Sequence, residues 1–87
     1  MEKIKQLIFN GELDKAIHLL DELIADNKHL DEAFFLRGNA YRKKGDFQRA
    51  LNNYLMAMEL DPDGPARRAH DMLMDIMNFY NKDMYNH

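Results

Sequence analysis

Phe34-Phe35-Leu36-Arg37-Gly38-Asn39-Ala40-Tyr41-Arg42-Lys43-Lys44-Gly45-Asp46-Phe47 decides the fold of this 87-residue chain. Phe34, Gly38 and Tyr41 recur at i, i+4 and i+7, with Ala33 and Ala40 beside them, which is the period of a helix. Gly45-Asp46 then breaks the pattern: glycine takes the left-handed conformation that ends a helix, and Asp46 can cap the next one. That next helix, about 47–60, carries Ala50, Leu51, Tyr54, Ala57 and Met58 on one face and stops at Asp61-Pro62, because the residue before proline disfavours the helical region.

The same plan stands 34 positions earlier. Gly11 matches Gly45, Leu7 matches Tyr41, Leu13 matches Phe47, Ala16 matches Ala50, Ile17 matches Leu51, Leu20 matches Tyr54 and Leu23 matches Ala57. A fixed period of this length is the mark of a repeat architecture. The first copy has a shortened opening helix, about 2–9, a turn at Asn10-Gly11 and a second helix over about 13–26. Asn27-Lys28-His29 stands where the second copy has its proline stop. After Asp63-Gly64 a fifth helix opens at Pro65, where the missing N–H costs nothing, and carries Ala69, Met72, Leu73, Ile76 and Tyr80 along one side.

Composition agrees. Ser, Thr, Val, Cys and Trp are absent, and Leu, Met, Ala, Glu, Lys, Arg and Asn dominate, so strand formation has few residues to draw on. Helix caps are then expected from Asp, Asn or Gly. With 12 basic and 15 acidic residues interspersed, a net charge of −3 gives no electrostatic ground for nucleic-acid or membrane-surface binding. The charged start Met1–Gln6 leads into no apolar leader, and no run is long enough to span a bilayer. A cytoplasmic protein is expected.

The segment from Phe34 to Phe47, with Ala50, Leu51, Tyr54, Ala57 and Asp61-Pro62, resembles the tetratricopeptide repeat (TPR). Gly38 and Ala50 are small where two helices of a unit cross, Tyr41, Phe47 and Tyr54 fill the space around them, and Ala57 admits the next unit. In the first copy Ile4 replaces the first glycine and Lys28 the proline. Arg37 stands where the family usually has leucine, with Leu36 one step earlier. The resemblance implies an all-α, right-handed superhelical array of two antiparallel helix pairs plus a capping helix. Repeat 1 is about 1–30, repeat 2 about 31–64, the capping helix about 65–80 and the tail 81–87.

The family binds extended peptides or partner helices in a concave groove lined by the first helix of each unit. Carried over by position, the groove-facing residues are Lys5, Ile8 and Phe9, then Glu32, Phe35, Asn39, Arg42 and Lys43, then Ala69, Leu73, Ile76 and Met77. A partly exposed aromatic beside an amide and two cations suits an extended acidic peptide. The competing reading packs Phe35 against the fifth helix and leaves Arg42 and Lys43 solvated. The carboxylate clamp of some members would fall at Met1, Lys5, Leu36, Ala66 and His70, residues that cannot form it. A peptide or protein partner is expected, with a monomer or a weak homodimer. Met77, Phe79 and Tyr85 are the candidates for self-association, beside Tyr80 and Met84.

Other chemistry is poorly provided for. His18 has Asp14 and Asp21 at i−4 and i+3 on one helix face, which a solvated face explains better than a metal site. His29, His70 and His87 have no ligand spacing. There is no Ser, Thr or Cys nucleophile, no glycine-rich phosphate loop, and the carboxylates are scattered over exposed faces. A non-catalytic protein without cofactor or metal is expected.

Overall fold

The computed structural model describes residues 1–85, with side chains described as far as Phe79. Five helices follow one another: α1 (Glu2–Phe9), α2 (Leu13–Ala25), α3 (Leu30–Lys44), α4 (Phe47–Leu60) and α5 (Ala66–Tyr85). All of the regular structure among the described residues is helical. No helix among them is long and apolar enough to cross a membrane. The expected ends of α5 are displaced at the C-terminus, where the helix runs on to Tyr85.

Three of the four inter-helix turns are set by backbone chemistry at the helix C-terminus. Gly11 and Glu12 donate to the carbonyls of Ile8 and Leu7, Asn27 and Lys28 to those of Ile24 and Leu23, and Gly45 and Asp46 to those of Arg42 and Tyr41. This doubled pattern satisfies the last free carbonyls and needs a left-handed residue after the helix. Gly11 and Gly45 supply it at φ +83° and +86°, and Asn27, which tolerates that region, at +56°.

Among α1 to α4, one helix start follows the expected capping chemistry. Asp46 Oδ1 accepts from the Arg49 amide at 3.2 Å at the head of α4. By contrast α1, α2 and α3 start after Met1, Glu12 and His29, none of which makes a side-chain cap bond, and His29 sits at φ +48°. Those helices form because their apolar faces are buried, a larger effect than a cap.

The core is two clusters that share α3. Ile4, Ile8, Ala16, Leu20, Ala33, Leu36 and Ala40 form the first. Phe34, Ala50, Leu51, Tyr54, Ala57, Ala66 and Leu73 form the second. A helix packed on two sides must be apolar around much of its girth, hence buried Ala33, Phe34, Leu36, Gly38 and Ala40 in so short a stretch. Neighbouring helices pack in chain order, and α1 also reaches α3 across the turn of the first pair. The result is elongated, 46 × 27 × 18 Å, with a radius of gyration of 13.6 Å. A compact domain of this length would measure about 12 Å.

At Arg37 the departure from the family pattern resolves into packing. Leu36 takes the buried role in the first cluster. Arg37 turns aside, donating from Nη1 to Asp21 on α2 and from Nε to Asn53 on α4, both at 2.7 Å, with its guanidinium 5.3 Å from the Phe34 ring centre. Asn53 is the one buried polar residue among the described residues, and its Nδ2 donates to the Arg49 carbonyl at 2.8 Å. A single side chain thus ties three helices.

The apolar side of α5 is wider than its neighbour can cover. Ala66 and Leu73 are buried, and Ala69 and Met77 pack against the second cluster, whereas Met72 and Ile76 remain exposed. Met72 and Ile76 therefore do not share the packed stripe, because α4 is the main surface α5 has to pack on. Leu73, enclosed in the core, cannot face a groove.

Candidate partner-binding groove

The concave face lies between α1 and α3. A cavity of about 350 Å³ there is lined by Lys5, Ile8 and Phe9 from α1 and by Phe35, Leu36, Asn39, Arg42 and Lys43 from α3. Lys5, Phe35 and Leu36 also line the adjoining cavity, which continues past Asp31 and Glu32 to Ala57, Asp61 and Ala66. Every one of Lys5, Phe9, Glu32, Phe35, Asn39, Arg42 and Lys43 therefore lies on one continuous depression. Helical spacing explains the alignment: 32, 35, 39 and 42–43 stand one above another along α3.

The lining residues Asn39 and Arg42 are braced from the core. The Tyr54 hydroxyl, whose residue is fully buried, donates to Asn39 Oδ1 at 2.5 Å and accepts from Arg42 Nε at 3.2 Å. Burial pushes the Tyr54 phenol above its ordinary value, while the Arg42 hydrogen bond and charge pull the other way. The Phe35 ring, half-buried, lies tilted 6.0 Å from the Tyr54 ring. Phe35 packs against both core clusters and also lines the groove.

Both cations have a structural anchor. Arg42 is held through Nε, which leaves its two Nη groups without a partner among the described residues. Lys43 Nζ donates to the Ile8 carbonyl at 3.1 Å, meeting the negative C-terminal end of α1, and sits 6.0 Å from the centre of the exposed Phe9 ring. Lys5 pairs loosely with Glu2 at 3.6 Å.

Elsewhere the polar residues pair locally. His18 Nε2 lies 3.3 Å from Glu22, while Asp14 pairs with Lys44 and Asp21 with Arg37, so the expected His18 face is dispersed among other partners. Among the described residues no three His, Cys, Asp or Glu converge as metal ligands. At the clamp positions Leu36 and Ala66 are buried and His70 lies 3.2 Å from Asp71. Met77 packs against the second cluster, Phe79 is exposed, and the side chain of Tyr85, with those of Tyr80 and Met84, lies outside the described residues.

Sequence reasoning missed Tyr54 as the core support behind Asn39 and Arg42, and Leu36 as part of the groove lining. It also missed Asp31 and Asp61 at the far end. The buried apolar stripe of α4 marks Tyr54 as core, and nothing in the spacing says that its hydroxyl meets Asn39 and Arg42.

Stacked antiparallel helix pairs with a half-open concave face define a helical-repeat protein. Residues 31–63 match the family model described as tetratricopeptide repeat. The chain is 54% identical to Bacteroides fragilis protein BF1650, known from a solution NMR structure, over 98% of this chain and 87% of that one, with a TM-score of 0.87. Residues 31–63 are thus a tetratricopeptide repeat set in an all-α array, consistent with a small protein of that repeat type, and such a repeat supports a protein–protein interaction module in general.

Proposed function

We propose that this protein is a non-catalytic module that binds an extended, acid-bearing segment of a partner protein in the α1–α3 groove. The observation that carries the reading is Arg42. Its Nε is fixed by the buried Tyr54 hydroxyl, its Nη pair has no partner among the described residues, and the side chain lines the groove with Phe35, which suits a planar grip on a carboxylate. Asn39 offers its amide N–H groups, and Phe35 with Phe9 offers apolar surface for a side chain of the partner. The absence of a dedicated clamp argues against recognition of a terminal carboxylate alone.

An array of acidic peptides probed with the wild type and with Arg42→Glu/Lys43→Glu tests the site. The expected result is loss of the captured spots by the variant, with its helix content retained by circular dichroism. Equal capture by both proteins overturns the assignment.

A second reading rests on exposed apolar side chains of α5, Met72 and Ile76, which are 58% and 41% exposed. Contiguous apolar surface of this kind marks interfaces, and a second copy of the chain is the occupant that reading names. Sedimentation of the wild type and of Met72→Lys/Ile76→Lys over a range of concentrations decides it: a wild type that stays monomeric throughout ends this reading.

A further inference from the structure

The groove is electrically divided. At one end stand Arg42 and Lys43, in the last turn of α3, with Lys5 lying between the two ends. At the other stand Asp31 and Glu32, in the first turn of α3, and Asp61 at the end of α4. Phe35, Leu36 and Lys5 are common to both halves, so the middle offers apolar surface beside one ammonium that Glu2 already pairs.

The two ends differ in how far their charges are already used. Lys43 is engaged by the Ile8 carbonyl, Lys5 by Glu2 and Arg42 in part by Tyr54. The Asp31 and Glu32 carboxylates have no hydrogen-bond or ion-pair partner among the described residues, and the Asp61 carboxylate accepts only the Asp63 amide. The α5 N-terminus beside them contributes a positive end worth about half a charge, against three carboxylates. The dipole of α3 accounts for acids at its start and bases at its end. It does not account for Asp61, on another helix, joining the acidic end of the same depression.

We infer that the occupant of this groove is a bipolar protein segment, with carboxylates over Arg42 and Lys43, an apolar residue over Phe35 and Leu36, and Lys or Arg over Asp31, Glu32 and Asp61. The inference rests on the groove being the binding site and refines which partner it takes. Glu32 and Arg42 are ten residues apart on α3, which is about 15 Å at the helical rise. An extended strand covers that distance in about five residues. An acidic peptide satisfies one end only and meets like charge at the other, whereas a bipolar one is matched throughout. Charge order along the segment therefore sets both affinity and the direction in which it lies.

Fluorescence anisotropy with three labelled peptides of one length and one apolar centre tests this. One carries an acidic block before and a basic block after the centre, the second is acidic on both sides, and the third scrambles the charges of the first. For the wild type the blocked peptide is expected to bind tightest, ahead of the scrambled one. Glu32→Lys is expected to weaken the blocked peptide by on the order of tenfold and to strengthen the acidic one. Added salt should narrow the gap, since the ends are solvent-facing. If the acidic peptide binds the wild type as tightly as the blocked one, or if Glu32→Lys leaves the blocked peptide unchanged, the bipolar occupant is overturned while the groove itself stands. If none of the three binds and the Arg42→Glu/Lys43→Glu variant captures acidic spots like the wild type, the groove reading falls as well.

Discussion

Gly38 and Tyr54 compete for one volume: a Cβ added to Gly38 would lie 2.6 Å from Tyr54 Cε1 and 3.2 Å from the Ala50 carbonyl oxygen. The missing side chain lets a full phenol ring, buried without solvent contact, cross between α3 and α4 and still bring its hydroxyl to Asn39 and Arg42. The first helix pair solves the same crossing the other way. There Ile4 and Leu20 stand at the positions of Gly38 and Tyr54, and both are buried. One pair divides the volume into nothing and a ring, the other into two medium side chains.

Gly38→Ile should therefore destabilise the protein by about 1–3 kcal/mol through overpacking. The expected partial rescue comes from Tyr54→Leu, which recreates the arrangement of Ile4 and Leu20. Urea unfolding of both single variants and the double variant checks it. Additive losses, within about 0.5 kcal/mol, would show that the two positions do not share the space.

Arg37→Leu restores the residue the family usually has, yet it should weaken this protein. Asn53 Oδ1 then keeps no donor in a buried site, a penalty of about 1–3 kcal/mol. Replacing both, Arg37→Leu/Asn53→Leu, removes the stranded acceptor and should recover most of the loss. A double variant less stable than Arg37→Leu alone would mean that Arg37 acts through Asp21 or Phe34 rather than through Asn53.

The Tyr54 phenol gives an alkaline limb to stability. Its folded value is raised, chiefly by burial, so the neutral form is favoured by folding. That contribution is fully present below the ordinary tyrosine value near 10 and is lost as pH rises through the higher folded value. Denaturation midpoints measured between neutrality and strong alkali should fall above that point in the wild type. Tyr54→Phe should start less stable, because Asn39 and Arg42 lose their shared partner, and should fall less steeply.

At the acid end the corresponding group is Asp46. The Arg49 amide, then the Arg49 guanidinium, hold its carboxyl below the ordinary 3.8. Folding therefore favours the ionised form, and its contribution is present above 3.8 and lost as pH falls through the lower folded value. Asp46→Asn keeps a capping oxygen that does not titrate. Its acid limb should be flatter than that of the wild type in thermal melts at decreasing pH, and identical limbs would remove Asp46 from the account.

Much of this architecture was legible before any coordinates. The 34-residue offset, the paired breaks at Gly11 and Gly45 and the small Gly38 each mark a local demand that only certain residues meet, and the helices fall where those marks put them. Helical spacing also aligns 32, 35, 39 and 42 on one side of α3, whereas the expectation that this side lines a groove came only from the family resemblance. Capping was not: Met1, Glu12 and His29 head their helices because tertiary burial outweighs a cap, and no local rule weighs the two.

By itself the sequence determined what depends on near neighbours and fixed periods: the helices, their turns, their pairing and which residues share one side of α3. Only the tertiary structure decided what depends on residues distant along the chain. It brought the Tyr54 hydroxyl under Arg42, set Lys43 on the end of α1, turned Arg37 toward Asp21 and Asn53, and placed Asp61 beside Asp31 and Glu32. Those meetings are products of how α3 lies between its neighbours, and the strength and direction of a hydrogen bond or charge pair exist only once that packing has fixed the distance.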